Sequence, residues 1–224
     1  MLNQMENSMK AVVFDLDGTL IDSAPDICAA VNKMLACEGI APIELSTVTS
    51  FIGNGMPKLV ERVIHYVDLP LERHQDLTVA TLGFYNQSPS DLTQIYAGVM
   101  ACLDLLRSKG YSLGICTNKP FSLTQSVTQE LEISRYFDVL VGADTLSVKK
   151  PDPAPLHYCI KELGFEEALY VGDSEIDYQT AQNALVPFAL FSGGYRKESL
   201  SFFKNATIFD TFKELPEIIR KNFS

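Results

Sequence analysis

The chain is poor in several residues on which enzyme chemistry is often built. It has only three histidines, His65, His74 and His157, in unrelated contexts, and they read as surface or packing residues rather than as a catalytic set. Five cysteines, Cys28, Cys37, Cys102, Cys116 and Cys159, are odd in number and form no C-x-x-C pair. That pattern argues against a disulfide framework or a thiolate zinc site and fits small core hydrophobes in a reducing compartment. No apolar run reaches the roughly 18 residues of a membrane span, and Met1–Lys10 lacks the basic-then-apolar order of a secretory leader. A cytoplasmic protein is expected. Positive charge is scarce too: 18 Lys and Arg against 28 Asp and Glu leave a formal net charge of −10. Nucleic acid and acidic membrane surfaces would be repelled, so neither is expected as a partner. An anionic small molecule would have to be held by a few local cations, helix N-termini or a metal.

What is present suits an α/β protein. With 224 residues and 46% hydrophobic content, the chain can bury one sizeable core, or one core with an inserted subdomain. Short apolar runs at Ala11–Phe14, Tyr111–Cys116, Phe137–Val141, Ala168–Val171, Val186–Phe191 and Thr207–Phe209 predict strands. Helix-period segments lie between them at Val99–Ser108, Ser122–Leu131, Pro153–Leu163, Ile176–Asn183 and Thr211–Lys221. Such alternation implies a parallel sheet covered by helices. From about Ser23 to Pro89 the rhythm breaks, leaving only helical patterns near Pro25–Cys37, Met56–Tyr66 and Leu71–Gln87. A helical insertion is therefore expected, entered through Thr19–Ser23 and left through Ser88–Thr93, with Ser23-Ala24-Pro25-Asp26 as a capping box. The first nine residues read as a mobile extension.

Four strand ends carry polar groups. Asp15-Leu16-Asp17-Gly18-Thr19 follows the first strand, so two carboxylates sit where open α/β sheets hold ligands. One can attack or hold a metal while the other handles a proton. Thr117-Asn118-Lys119-Pro120 precedes a helix whose free N–H groups suit an anion. Lys149-Lys150-Pro151-Asp152-Pro153 puts a cation on a proline-held loop, and Gly172-Asp173-Ser174-Glu175-Ile176-Asp177 sets two acids four residues apart at a helix start. All four follow strands of one sheet and so share one edge of it. Carboxylates about 4 Å apart repel by on the order of 4 kcal/mol at an effective dielectric of about 20, so a cation must offset them. Oxygen ligands alone select a hard ion, and Mg2+ is the usual one joining carboxylates to phosphate. An EF-hand at Asp15 fails, with Leu20 where Gly is needed, and Gly53-Asn54-Gly55 fails as a dinucleotide fingerprint, with Lys58 at the third Gly.

Asp15-x-Asp17-Gly18-Thr19, Thr117, Lys150-Pro151 and Gly172-Asp173-x-x-x-Asp177, in this order over residues 10–215, resemble the four motifs of the haloacid dehalogenase superfamily. The resemblance implies a Rossmann-like α/β core with helices on both faces, formed by residues 10–22 and 92–224, and an all-helical cap over 23–91. Asp22-Ser23, Phe51-Ile52-Gly53-Asn54-Gly55, Leu59-Val60-Glu61-Arg62 and the run from Lys150 to Leu156 are similar to the bacterial phosphoglycolate phosphatase branch. It implies Asp15 as nucleophile, Asp17 as general acid and base, and Thr117, Asn118 and Lys150 on the phosphoryl group. It implies Mg2+ held by Asp15, Asp17 through its carbonyl, and Asp173, with Asp177 nearby. The leaving group is expected to meet Gly53, Asn54, Gly55 and Arg62 or Lys58. The expected partner is a small phosphorylated metabolite, 2-phosphoglycolate first, with another small phosphate or a mutase reaction as alternatives and a non-catalytic phosphate-binding protein behind them. A monomer or homodimer is compatible with these features.

Overall fold

The computed structural model describes residues 11–222; the extension expected over residues 1–9 lies outside the described residues. The first strand, β1 (Ala11–Phe14), has all four residues buried and is an inner strand of the main sheet. The chain then forms β2 (Ile21–Asp22), four helices, α1 (Ala24–Cys37), α2 (Leu45–Thr49), α3 (Met56–Tyr66) and α4 (His74–Gln87), and returns through β3 (Gln94–Ile95). The remainder alternates: α5 (Val99–Ser108), β4 (Ser112–Cys116), α6 (Phe121–Glu130), β5 (Val139–Val141), α7 (Ala154–Glu162), β6 (Leu169–Gly172), α8 (Glu175–Ala184), β7 (Phe188–Phe191), β8 (Thr207–Phe209) and α9 (Leu215–Asn222).

Six strands make one parallel sheet in the order β5-β4-β1-β6-β7-β8. The period of two along β1 decides which layer each side chain joins. Val12 and Phe14 enter one core with Leu103 and Leu106 of α5, Val127 of α6 and Ile219 of α9. Ala11 and Val13 face the other way, toward Leu156, Cys159 and Ile160 of α7 and Tyr178 and Ala181 of α8. A sheet apolar on both faces is what the unbroken Val-Val-Phe run requires, and burying each such side chain contributes about 1.5–3 kcal/mol.

A third core belongs to the insertion. Ile27, Val31 and Leu35 of α1, Leu59, Val60, Val63 and Ile64 of α3, and Leu77 and Tyr85 of α4 pack together and rest on Leu123 of α6. The positions on α3 follow i, i+1, i+4, i+5, the inner stripe of an amphipathic helix.

One local expectation is corrected, and two short elements are added to those expected. The Ser23–Asp26 capping box does not form: the Ser23 hydroxyl donates to Asp17 Oδ1 at 2.6 Å, and Asp26 accepts from the Leu92 amide and the Thr93 hydroxyl. Both groups are drawn away from the helix end by tertiary partners. The two crossings between layers are joined as an antiparallel pair, β2 with β3, and the short α2 precedes Phe51; neither is long enough to show a period.

Candidate active site at the sheet switch point

The strand order reverses at β1, which lies between β4 and β6, so the crevice beyond its C-terminal end is the place such sheets hold ligands. Asp15 follows β1, Thr117 follows β4 and Asp173 follows β6, and each is buried. The ladder continues into the loops: the Asp15 amide donates to Val171 O at 2.8 Å and the Thr117 amide to Val141 O at 2.9 Å. Gly18 is required at the turn after Asp17. Its φ is +89°, and a Cβ there would stand 2.5 Å from Asp173 Oδ2.

Lys150, 3% exposed, is the centre of charge. Its Nζ donates to Asp15 Oδ1 at 2.8 Å, to Asp177 Oδ1 at 2.6 Å and to the Tyr170 hydroxyl oxygen at 2.8 Å, which engages all three of its protons. Asp177 is fixed in turn by the start of α8, where a capping box does form: the Ser174 hydroxyl accepts from the Asp177 amide, and Asp177 Oδ2 accepts from the Ser174 amide at 3.1 Å. Burial pushes the Asp177 carboxyl up, but Lys150, Ser174 and Tyr170 together hold it below the usual carboxylate value. Burial raises Asp15 to about 6 against the pull of Lys150. Asp173 is raised well above its ordinary value by burial and then by the charges of Asp177 and Asp15, with the Tyr195 amide and the Thr19 hydroxyl opposing.

Asp15, Asp173 and Asp177 offer carboxylate oxygens that all lie within 4.8 Å of one another. An all-oxygen, buried, mutually repelling set fits a hard divalent cation. Asp177 is the most committed of the three, its two oxygens accepting from Lys150, the Tyr170 hydroxyl, the Asp173 amide and both the amide and the hydroxyl of Ser174. Asp173 accepts from the Thr19 hydroxyl at 2.7 Å and the Tyr195 amide at 2.6 Å. At Asp15, among the described residues, only Oδ1 is engaged and no donor meets Oδ2.

Asp17 stands at the other side of the same space. Its Oδ1 accepts from Ser23 and from Lys119 Nζ at 3.0 Å, and Lys119, 5% exposed, also donates to the hydroxyl of Tyr85 on α4. Burial alone would lower the Lys119 ammonium, but Asp17 and Tyr85 raise it above its ordinary value, while burial pushes Tyr85 up to about 12. A cavity of about 50 Å³ lies between the layers, lined by Asp15, Asp17, Thr117, Asn118, Lys119 and Lys150 from the sheet side and by apolar side chains of the insertion. A second space of about 200 Å³ also borders Asp15 and Asp17 and runs past Asp173, Asn54, Arg62 and Lys197.

The residues expected from the insertion divide. Gly53 and Gly55 reach the smaller cavity, and the Asn118 amide group donates to Gly53 O and Lys150 O, which leaves its Oδ1 buried without a donor. Asn54 accepts from Arg62, whose guanidinium also donates to Phe51 O at 2.6 Å, so Arg62 shapes its own loop. Lys58 pairs with Glu61 on the surface and reaches neither space. Sequence reasoning overlooked Lys119, Tyr85 and Tyr195. The Gly193-Gly194-Tyr195 turn after β7 was a readable signal, because it also ends a strand on this edge; Tyr85 stands 34 residues from Lys119 and offered none.

The chain is similar to known proteins in sequence and in fold. Residues 12–191 match the family model described as haloacid dehalogenase-like hydrolase. A phosphoglycolate phosphatase of Cereibacter sphaeroides is 43% identical over 215 residues, 95% of this chain and 99% of that protein. One from Colwellia psychrerythraea is 36% identical over 92% of this chain and 95% of its own length. A solved structure titled a predicted phosphoglycolate phosphatase from Haemophilus somnus superposes with a TM-score of 0.88 at 28% identity, covering 94% of this chain and 97% of that one.

Proposed function

The chain belongs to the haloacid dehalogenase-like hydrolases, and from that premise we propose that it is a phosphomonoester hydrolase acting through a phosphorylated Asp15, with 2-phosphoglycolate as substrate and Mg2+ as its metal. The observation that carries this reading is the state of Asp15: one oxygen is fixed on Lys150, the other has no protein donor among the described residues, and the residue borders a cavity between the layers.

Asp15 Oδ2 attacks phosphorus as the ester P–O bond breaks, and Asp17 delivers a proton to the departing alcohol oxygen. Asp17 then takes a proton from the water that attacks the aspartyl-phosphate, which releases phosphate and restores Asp15. Thr117 and Lys150 face the phosphoryl oxygens. The Thr117 hydroxyl already accepts from the Lys119 amide at 3.3 Å, so its own proton is left for an anion. Asp15, Asp173 and the Asp17 carbonyl would hold Mg2+, with Asp177 behind them; when bound, it supplies charge that offsets the carboxylates and the phosphoryl group.

The smaller space has room for a few waters or a two-carbon acid, and the neighbouring space of about 200 Å³ also borders Asp15 and Asp17, so the size of the leaving group is left to the substrate panel. A panel of phosphomonoesters with and without Mg2+ tests the reading. Turnover of 2-phosphoglycolate is expected to need the metal and to lead; a sugar phosphate or pyrophosphate ahead by more than about tenfold, about 1.4 kcal/mol of transition-state preference, would remove it as substrate.

A further inference from the structure

We propose that Lys119 is the residue that selects an anionic leaving group, giving up its contact with Asp17 to receive the carboxylate of the departing alcohol. The inference rests on the phosphomonoesterase reading and adds to it the group that recognises the non-reacting end of the substrate.

Two ammonium groups border the small cavity, and they differ in what they have left to give. Lys150 has three protein acceptors, Asp15, Asp177 and Tyr170, one for each proton. Lys119 has two partner residues, Tyr85 and Asp17, and its contacts to Asp17 are the longer ones, 3.0 and 3.3 Å. Asp17 is also the acid that must meet the ester's bridging oxygen, so an ammonium resting on both of its oxygens competes with that contact. Swapping Asp17 for an incoming carboxylate keeps the buried ammonium paired and turns an Asp17 oxygen toward the substrate.

Arg62 and Lys197 border the larger neighbouring space that Asp15 and Asp17 also line, but only Lys119 and Lys150 border the smaller cavity. Arg62 holds Phe51 O and Asn54 Oδ1, and Lys58 pairs with Glu61 at the surface. Lys149 and Lys197 donate to the carbonyls of Asn54 and Ile52 and do not line the small cavity. Apart from Asp15, Asp17, Tyr85, Thr117 and Asn118 the lining is largely aliphatic, including Ile27, Met56, Leu59 and Leu123, so a carboxylate seated against those side chains loses water on that face and has Lys119 as its counter-ion. Tyr85 comes from the insertion, so the recognition site is complete only when α4 lies against the sheet layer. An ester with an uncharged leaving group leaves Lys119 on Asp17 and is a poor substrate for that reason.

The test compares kcat/KM for 2-phosphoglycolate and for ethyl phosphate, similar in size but without the carboxylate, in wild type, Lys119→Met and Lys119→Arg. The wild-type ratio is expected to be about 100 or more, to fall about 30-fold or more in Lys119→Met, and to stay at least about tenfold higher in Lys119→Arg, which keeps the charge. Inhibition by free glycolate should weaken about tenfold in Lys119→Met while inhibition by inorganic phosphate keeps its strength, a contrast that loss of packing alone would not give. A wild-type enzyme that turns over both esters equally, or a folded Lys119→Met with an unchanged ratio, overturns the role of Lys119 and leaves the phosphatase reading standing. A wild-type enzyme that hydrolyses neither ester removes the phosphatase reading, and this inference with it.

Discussion

Lys150 is the residue that makes so many acids tolerable in one buried place. Breaking a buried pair strands its partner, at a typical cost of about 3–5 kcal/mol, so Lys150 and Asp177 are expected to be structural as well as functional. Asp15 differs, because burial already disfavours its charge. Asp15→Asn should therefore lower kcat/KM by about 10³-fold or more while the melting temperature in metal-free buffer holds or rises, read by steady-state kinetics and calorimetry side by side. The same carboxyl gives a pH dependence with a definite sign. Its folded value of about 6 lies above the ordinary 3.8, so the folded state binds the proton more tightly. That contribution is present at low pH and is lost as pH rises through about 6, and Asp173 acts in the same direction. Asp177, lowered, acts only on the acid side of this window. Metal-free protein should thus melt at lower temperature at about pH 8 than at about pH 5, and saturating Mg2+ should raise the melting temperature more at the higher pH. An equal metal-induced shift at both would contradict the assignment.

At the scale of elements, the site depends on how loops leave strands and enter helices. The capping box of α8 links stability to chemistry, since the Ser174 hydroxyl donates to the Asp177 oxygen that also takes the Ser174 amide. Ser174→Ala is expected to cost about 1–2 kcal/mol in urea unfolding and to lower kcat as well, because Asp177 then orients Lys150 less firmly; unchanged kcat would separate the two roles. The main strands were legible in the sequence because each is a short apolar run buried on both faces, as in Val12-Val13-Phe14, and so were the longer helices, whose apolar positions repeat as on α3. The β2–β3 pair was not, because two-residue strands have no period, and Ser23 misled because its hydroxyl had the better partner in Asp17 across the loop. Within the candidate site, the sequence pointed to Asp15, Thr117 and Asp173 because each directly follows a strand, and to Asp17, Lys150 and Asp177 because they lie in the loop or helix start beyond one. Lys119 lies in the same loop as Thr117, yet its meaning depends on Asp17 and on Tyr85 from the insertion, contacts that no local spacing encodes.

For the whole molecule, two layers share one charge problem. A chain of net charge −10 gains nothing from long-range attraction of an anionic ester, so binding must come from a few buried cations and a metal acting at short range. The parallel sheet brings Asp15, Lys150 and Asp173 to one edge, and the helical insertion closes over them, tied to the sheet layer where Asn118 and Lys197 donate to the carbonyls of Gly53 and Ile52. No helix among the described residues is long and apolar enough to cross a membrane. The central claim is that Asp15 itself takes the phosphoryl group, and acid quenching during turnover followed by proteolysis and mass spectrometry tests it directly. The account predicts a phosphoryl group on the peptide that carries Asp15, absent in Asp15→Asn. Turnover at full rate with a phosphoryl group on another residue, or on none, would contradict it.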